Sequence, residues 1–196
     1  MIRIKKSIAI GVLLVSLAPL SGCVSTVVGA GAAVGVAAFE ERSLKVHAVD
    51  TTLATKIRYN LVQAGEEFVK GVGVEVYESK VLMTGIVKDE ASRAEALKLA
   101  WQVDGVKDVY NELQVAQSDF TDLAKDSWVT TKLKSRITFD ENIFAINYSI
   151  ETVAGVVYLI GIAQDQSELD KVIAHARDLG YVKRVISHVR VKKAAS

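Results

Sequence analysis

Two stretches decide how this chain folds: Val81-Leu82-Met83-Thr84-Gly85-Ile86-Val87-Lys88-Asp89 and Val157-Tyr158-Leu159-Ile160-Gly161-Ile162-Ala163-Gln164-Asp165. Each is an apolar run with a glycine at its fifth position and an aspartate at its ninth, and they lie 76 residues apart. The same offset carries further in both directions without a gap. Asp50 meets Asp126, Thr55-Lys56 meet Thr131-Lys132, Phe68 meets Phe144, Glu75 meets Glu151, Val106-Lys107 meet Val182-Lys183, and Val115 meets Val191. Identity is only about a fifth, but an ungapped register over 66 positions (50–115 on 126–191) marks an internal repeat of two similar domains.

Each copy reads as αββαβ. A first helix is expected from Asp50 or Asp126. Leu53, Ile57 and Leu61, or Val129, Leu133 and Ile137, recur every four residues on its core side. Two β-rich runs follow, residues 72–77 with 81–87 and 145–153 with 156–163, linked by Glu78-Ser79-Lys80 and Ala154-Gly155 as hairpins. Asp89 and Asp165 suit the N-caps of a second helix, and Glu168, three residues after Asp165, has capping-box spacing. Residues 106–115 and 182–191 are the closing strands. The fold class is α+β, with both helices of each copy on one face of a small sheet.

The amino terminus is of another kind. Arg3, Lys5 and Lys6 precede an apolar run, residues 8–20, and then small Ser21-Gly22. That run, about 13 residues, is shorter than the roughly 20 of a spanning helix, so residues 1–22 are expected to be a secretory signal peptide. Leu20-Ser21-Gly22-Cys23 resembles the bacterial lipobox, which implies cleavage before Cys23 and its acylation. Val24 follows, where Asp would favour inner-membrane retention in the enteric-type sorting that this resembles; the outer membrane is the expected residence. Residues 23–49 form the expected lipidated cysteine and tether, rich in Gly, Ala and Val up to Phe39. No strand precedes the Gly-rich part, so it does not suit a dinucleotide loop. A flexible spacer and a small-residue helix both remain open. Residues 116–125 are the expected linker and 192–196 a tail.

Losing Arg3, Lys5 and Lys6 with the leader takes the formal charge from +1 to −2, because no Asp or Glu precedes Glu40. Such a chain is poorly suited to nucleic acid, which requires excess Lys and Arg. Cys23 is the sole cysteine, so no internal disulfide is available. His47, His175 and His188 share no metal-ligand spacing and no nucleophile stands in a catalytic setting, so no metal, cofactor or enzymatic activity is expected. Glu66-Glu67 reads as a solvated loop pair.

The apolar strands ending in Gly85 and Gly161, with the closing run Val103-Asp104-Gly105-Val106-Lys107-Asp108-Val109-Tyr110-Asn111-Glu112-Leu113, resemble BON domains. In the second copy Tyr181 intervenes between Gly180 and Val182 and departs from that pattern. Lipobox, tether and two such domains together resemble the dual BON-domain outer-membrane lipoproteins of the DolP type. The resemblance implies a protein lipid-anchored at the periplasmic face that binds anionic phospholipid through the first helix of its second domain and supports envelope integrity.

The residues add their own signal there. Trp128 and Phe139, eleven residues apart, point almost the same way on a helix, with Lys132 close beside them in direction and Arg136 further round towards the core stripe. The first copy has Thr52, Lys56, Asn60 and Gln63 at those positions. Aromatics flanked by cations suit a bilayer interface. Trp128 packed against the first domain or the linker is the alternative, and Trp101 is expected in the core or between domains. The same surface could instead dock an envelope protein, such as the outer-membrane assembly machinery or a cell-division component.

Overall fold

The computed structural model describes residues 40–116 and 122–193; the leader, Cys23, most of the tether and part of the linker lie outside them. The first domain runs α1 (Leu44–Ala64), α2 (Glu66–Gly71), β1 (Val72–Tyr77), β2 (Lys80–Val87), α3 (Glu90–Trp101) and β3 (Asp108–Val115). The second runs α4 (Leu123–Thr138), a 3₁₀ turn (Ala145–Asn147), β4 (Tyr148–Val153), β5 (Val156–Ala163), α5 (Gln166–Arg177) and β6 (Arg184–Val191). Apart from the short α2, the order αββαβ occurs twice. Each sheet places its second strand centrally, antiparallel to the first in a hairpin and parallel to the third across a helix.

Both first helices begin earlier than the periodicity suggests. Ser43 and Asp122 are the caps, their side chains accepting from the N–H groups of Val46 and Lys125. Asp50 and Asp126 therefore lie inside the helices. They are buried, and each carboxylate accepts two backbone N–H groups of a hairpin turn: Glu78 and Ser79 at 2.9 and 2.8 Å, Ala154 and Gly155 at 2.7 and 2.9 Å. Those turns need φ > 0 at both central residues, 53° and 65° in the first, 53° and 78° in the second. Only Gly155 adopts that conformation without steric cost, so the buried carboxylate holds the turn from within.

Gly85 and Gly161 explain the repeated motif. Their φ values are +122° and +155°, and a Cβ on either would lie 2.0 Å from a carbonyl oxygen, that of Gly71 or Asn147. Any side chain would push the sheet from the segment leading into its first strand. Asp89 and Asp165 cap α3 and α5 as expected. Glu168, however, turns past its own cap, and its carboxylate accepts from the N–H groups of Gln164 and Phe144 at 2.8 and 2.9 Å. Two further differences stand out. Glu66-Glu67 opens α2 rather than a loop, and residues 145–147 wind into the 3₁₀ turn before β4 begins.

Alternation along the central strands sets the layers. Val81, Met83 and Val87 face α1 and α3, joining Leu53, Ile57, Leu61, Ala96 and Ala100 in one core; Val157, Leu159 and Ala163 do the same under α4 and α5. The other faces meet each other. Leu82 and Tyr77 pack with Val156, Tyr158, Ile160 and Ile162 in a third cluster between the two sheets. The result is four layers, helices outside and two sheets within. β5 is buried at all eight positions because it is covered on both sides.

Polar contacts pin the seam. Gln114 donates to the Tyr158 hydroxyl at 3.0 Å, Arg190 pairs with Glu78 at 3.0 Å, and Tyr110 stacks on His188 with centroids 4.2 Å apart. Residues 40–42, expected as tether, belong to this seam. Arg42 pairs with Glu40 and Asp50 and lies over the Tyr77 ring, while Glu41 reaches the second domain. Burial pushes the Tyr77 hydroxyl up to about 12, with the Arg42 charge opposing the shift.

Candidate functional site

The helix α4 presents two faces. Asp126, Val129, Leu133 and Ile137 are buried against the sheet. Opposite them, Trp128, Lys132, Ser135 and Phe139 recur at i, i+4, i+7 and i+11, which places them in one line along the solvent side. Trp128 is 53% exposed and Phe139, the C-cap residue, 84%. Lys132 is exposed and makes no ion pair among the described residues.

Arg136 departs from that line. Its guanidinium turns to α5, 2.6 Å from the Asp178 carboxylate, and also donates to the His175 carbonyl at 3.4 Å. Lys125, near the start of the helix, is similarly engaged, pairing with Asp122 at 2.6 Å and lying over the Tyr181 ring at 5.6 Å. The structure thus aligns Trp128, Lys132 and Phe139 and fastens Arg136 between helices. Just beyond the helix, Asp140 accepts from His175 Nε2 at 2.9 Å and from Asn142. The His175 contact, then the Asn142 bonds, bring the Asp140 carboxyl down to about 2.

On α1 the line in register is Thr52, Lys56, Tyr59 and Gln63. Its only aromatic, Tyr59, is 63% exposed. The other tryptophan, Trp101, is not a core or seam residue: it ends α3 with 52% of its surface exposed. No helix among the described residues is long and apolar enough to cross a membrane. Cys23 lies outside the described residues.

Sequence reasoning missed one exposed pair. The repeat register matches Phe144 to Phe68, a core residue at 5% exposure, yet Phe144 is 42% exposed and Ile146 39%. Ile143 occupies the core in its place. Nothing in the apolar pattern Ile143-Phe144-Ala145-Ile146 distinguishes the member that turns inward.

Comparison with known proteins follows the same architecture. The BON domain family matches twice, over residues 49–117 and 125–193. A protein of Haemophilus influenzae described as outer membrane lipoprotein DolP is 32% identical over 169 residues, covering 85% of this chain and 87% of its own. An uncharacterized protein in the gshII 5′ region of Anaplasma centrale is 41% identical over 145 residues, covering 73% of this chain and 95% of its own. A 21 kDa hemolysin of Actinobacillus pleuropneumoniae is 29% identical over 157 residues, 77% of this chain and 80% of its own.

Proposed function

We propose, from the premise that this chain belongs to the BON-domain family as a dual-BON protein of the DolP type, that it is a lipoprotein of the outer membrane whose second domain binds anionic phospholipid. Cys23 carries the acyl anchor at the periplasmic face, and α4 lies against the bilayer. The observation that carries this reading is the line Trp128–Lys132–Phe139, exposed on α4, whose two aromatics are replaced by Thr52 and Gln63 at the matching positions of α1. The name of the Haemophilus relative, an outer membrane lipoprotein, supports the location and the anchor.

The chemistry is that of an interfacial helix. The Trp128 indole sits at headgroup level, Phe139 reaches the acyl boundary, and Lys132 meets phosphate. Burying one such aromatic contributes about 2 kcal/mol, which alone gives a weak soluble binder. Several acyl chains make attachment permanent, and the tether then holds α4 at high effective concentration near the surface. The anchor supplies residence, while the helix supplies orientation and lipid reading. Arg136 contributes by fixing α4 to α5 through Asp178 rather than by meeting lipid. A protein held in this way supports outer-membrane integrity at the inner surface of that membrane.

The test is co-sedimentation of the protein lacking residues 1–39 with vesicles of zwitterionic lipid, with and without anionic lipid. Binding that requires the anionic component and weakens as salt rises supports the reading. Indifference to headgroup charge contradicts it and favours a protein partner for the same surface.

A further inference from the structure

The connection between α4 and β4 differs from its counterpart in the first domain. There, Phe68 fills the core and Lys70, paired with Glu66, faces solvent. In the second domain Ile143 fills the core, and Phe144 turns outward with its N–H held by Glu168 at 2.9 Å. Ile146 stands where the first domain has Lys70. With Phe139, one eight-residue stretch presents three exposed large apolar side chains. Folding alone gains nothing from this, since burying those side chains would stabilise the domain.

A second observation says what covers them. The Glu41 N–H donates to Asn147 Oδ1 at 2.9 Å, and Asn147 adjoins Ile146. The Glu41 carboxylate is fixed by Gln164 at 2.8 Å and Lys192 at 3.0 Å. Chain arriving from Cys23 therefore joins the folded body beside this turn. Residues 24–39 carry no charged side chain, and 16 residues reach at most about 55 Å. The turn also lies at a defined end of the domain. Asp126 holds the hairpin at the start of α4, and Phe139 is thirteen residues, about 20 Å, away towards the start of β4. The anchor thus enters at the Phe139 end.

We infer that the turn carrying Phe144 and Ile146 is a bilayer contact, the leading edge of the second domain, inserted at the headgroup–acyl boundary beside the point where the anchored chain enters. This rests on the reading that Cys23 holds the chain to a bilayer. The contact is apolar, so it resists salt, whereas contacts made by Lys132 are screened. The matching stretch of the first domain, with Phe68 inside and Lys70 outside, exposes Val69 alone among its large apolar side chains, and that domain stands away from the surface.

Because Cys23 is the sole cysteine and its sulfur is consumed by acylation, the full-length lipoprotein accepts a single labelled thiol. Ile146→Cys, Ser135→Cys and Val62→Cys, all at surface positions, would each carry an environment-sensitive fluorophore in vesicles containing a lipid-borne quencher. Quenching at positions 146 and 135 and none at 62 is expected. A label at 146 that stays unquenched while 135 is quenched overturns the turn contact and leaves the α4 reading standing. Quenching at 146 but not 135 supports the turn and removes α4 as the lipid face. If neither is quenched, both fail, and label uptake by the unsubstituted chain overturns the anchor on which both rest.

Discussion

Glu112 and His188 occupy the same position in the two repeats, 76 residues apart, and they touch: Glu112 Oε1 lies 2.8 Å from His188 Nε2 across the seam between the sheets. In a two-fold arrangement a residue meets its own equivalent only on the axis. The two domains are thus related by a pseudo-dyad that passes through this pair, as in a homodimer fused into one chain. Duplication explains the repeat; the Glu–His difference at one position makes the axis contact attractive.

That pair should therefore couple the domains. His188→Ala removes both the Glu112 contact and the stacking on Tyr110, and should lower stability by about 1 kcal/mol. Thermal unfolding of Glu112→Ala, His188→Ala and the double variant gives the coupling directly. Strictly additive effects would mean that the pair contributes nothing across the axis.

The seam predicts that the domains unfold together. Ile160 is 2% exposed between the sheets, and Ile160→Ala should cost about 2–4 kcal/mol. Urea unfolding of the protein lacking residues 1–39, followed by Trp fluorescence and circular dichroism, should show one transition that shifts as a whole. Two separated transitions, only one of which moves, would contradict the seam.

Asp126 supports a prediction of another kind. Asp126→Ala leaves the N–H groups of Ala154 and Gly155 without their acceptor, at a cost of about 3 kcal/mol. Urea unfolding measures it. A loss below 1 kcal/mol would show that the turn holds itself.

Acid should loosen the end of α4. The Asp140 carboxyl is held at about 2 against an ordinary 3.8, first by His175 and then by Asn142. A lowered carboxylate stabilises the fold above its unfolded value, and that contribution is lost as pH falls through the folded value. Stability should decline between about pH 4 and pH 2, and Asp140→Asn should flatten that part of the profile. An unchanged profile in the variant would assign the acid loss to other carboxylates.

How much of this was legible follows from which forces act locally. The αββαβ order, the caps Asp89 and Asp165, and the core stripes of α1 and α4 follow from periodicity and capping chemistry, which neighbouring residues alone dictate. The roles of Asp50 and Asp126 do not. A repeated aspartate near a helix start reads as a cap, and only the packed hairpin shows its carboxylate reaching a turn 28 residues away. The unbroken apolar run of β5 carried a readable sign of double-sided burial, since a strand with one wet face would alternate. Of the candidate face, Trp128, Lys132 and Phe139 fall in line because helical geometry places them so. Arg136 is placed further round by the same geometry, but its ion pair could not be read, because its partner Asp178 lies 42 residues on. Phe144 was hidden by its own repeat, which pairs it with a core residue.

The central claim is that Trp128 meets lipid, and the two tryptophans offer a matched comparison, being 53% and 52% exposed on different domains. Co-sedimentation of Trp128→Glu and Trp101→Glu with anionic vesicles, in protein lacking residues 1–39, tests it most directly. Lost binding in Trp128→Glu with binding retained in Trp101→Glu is the predicted result. Equal binding by both variants, or equal loss in both, would contradict the assignment of α4 as the lipid-reading face.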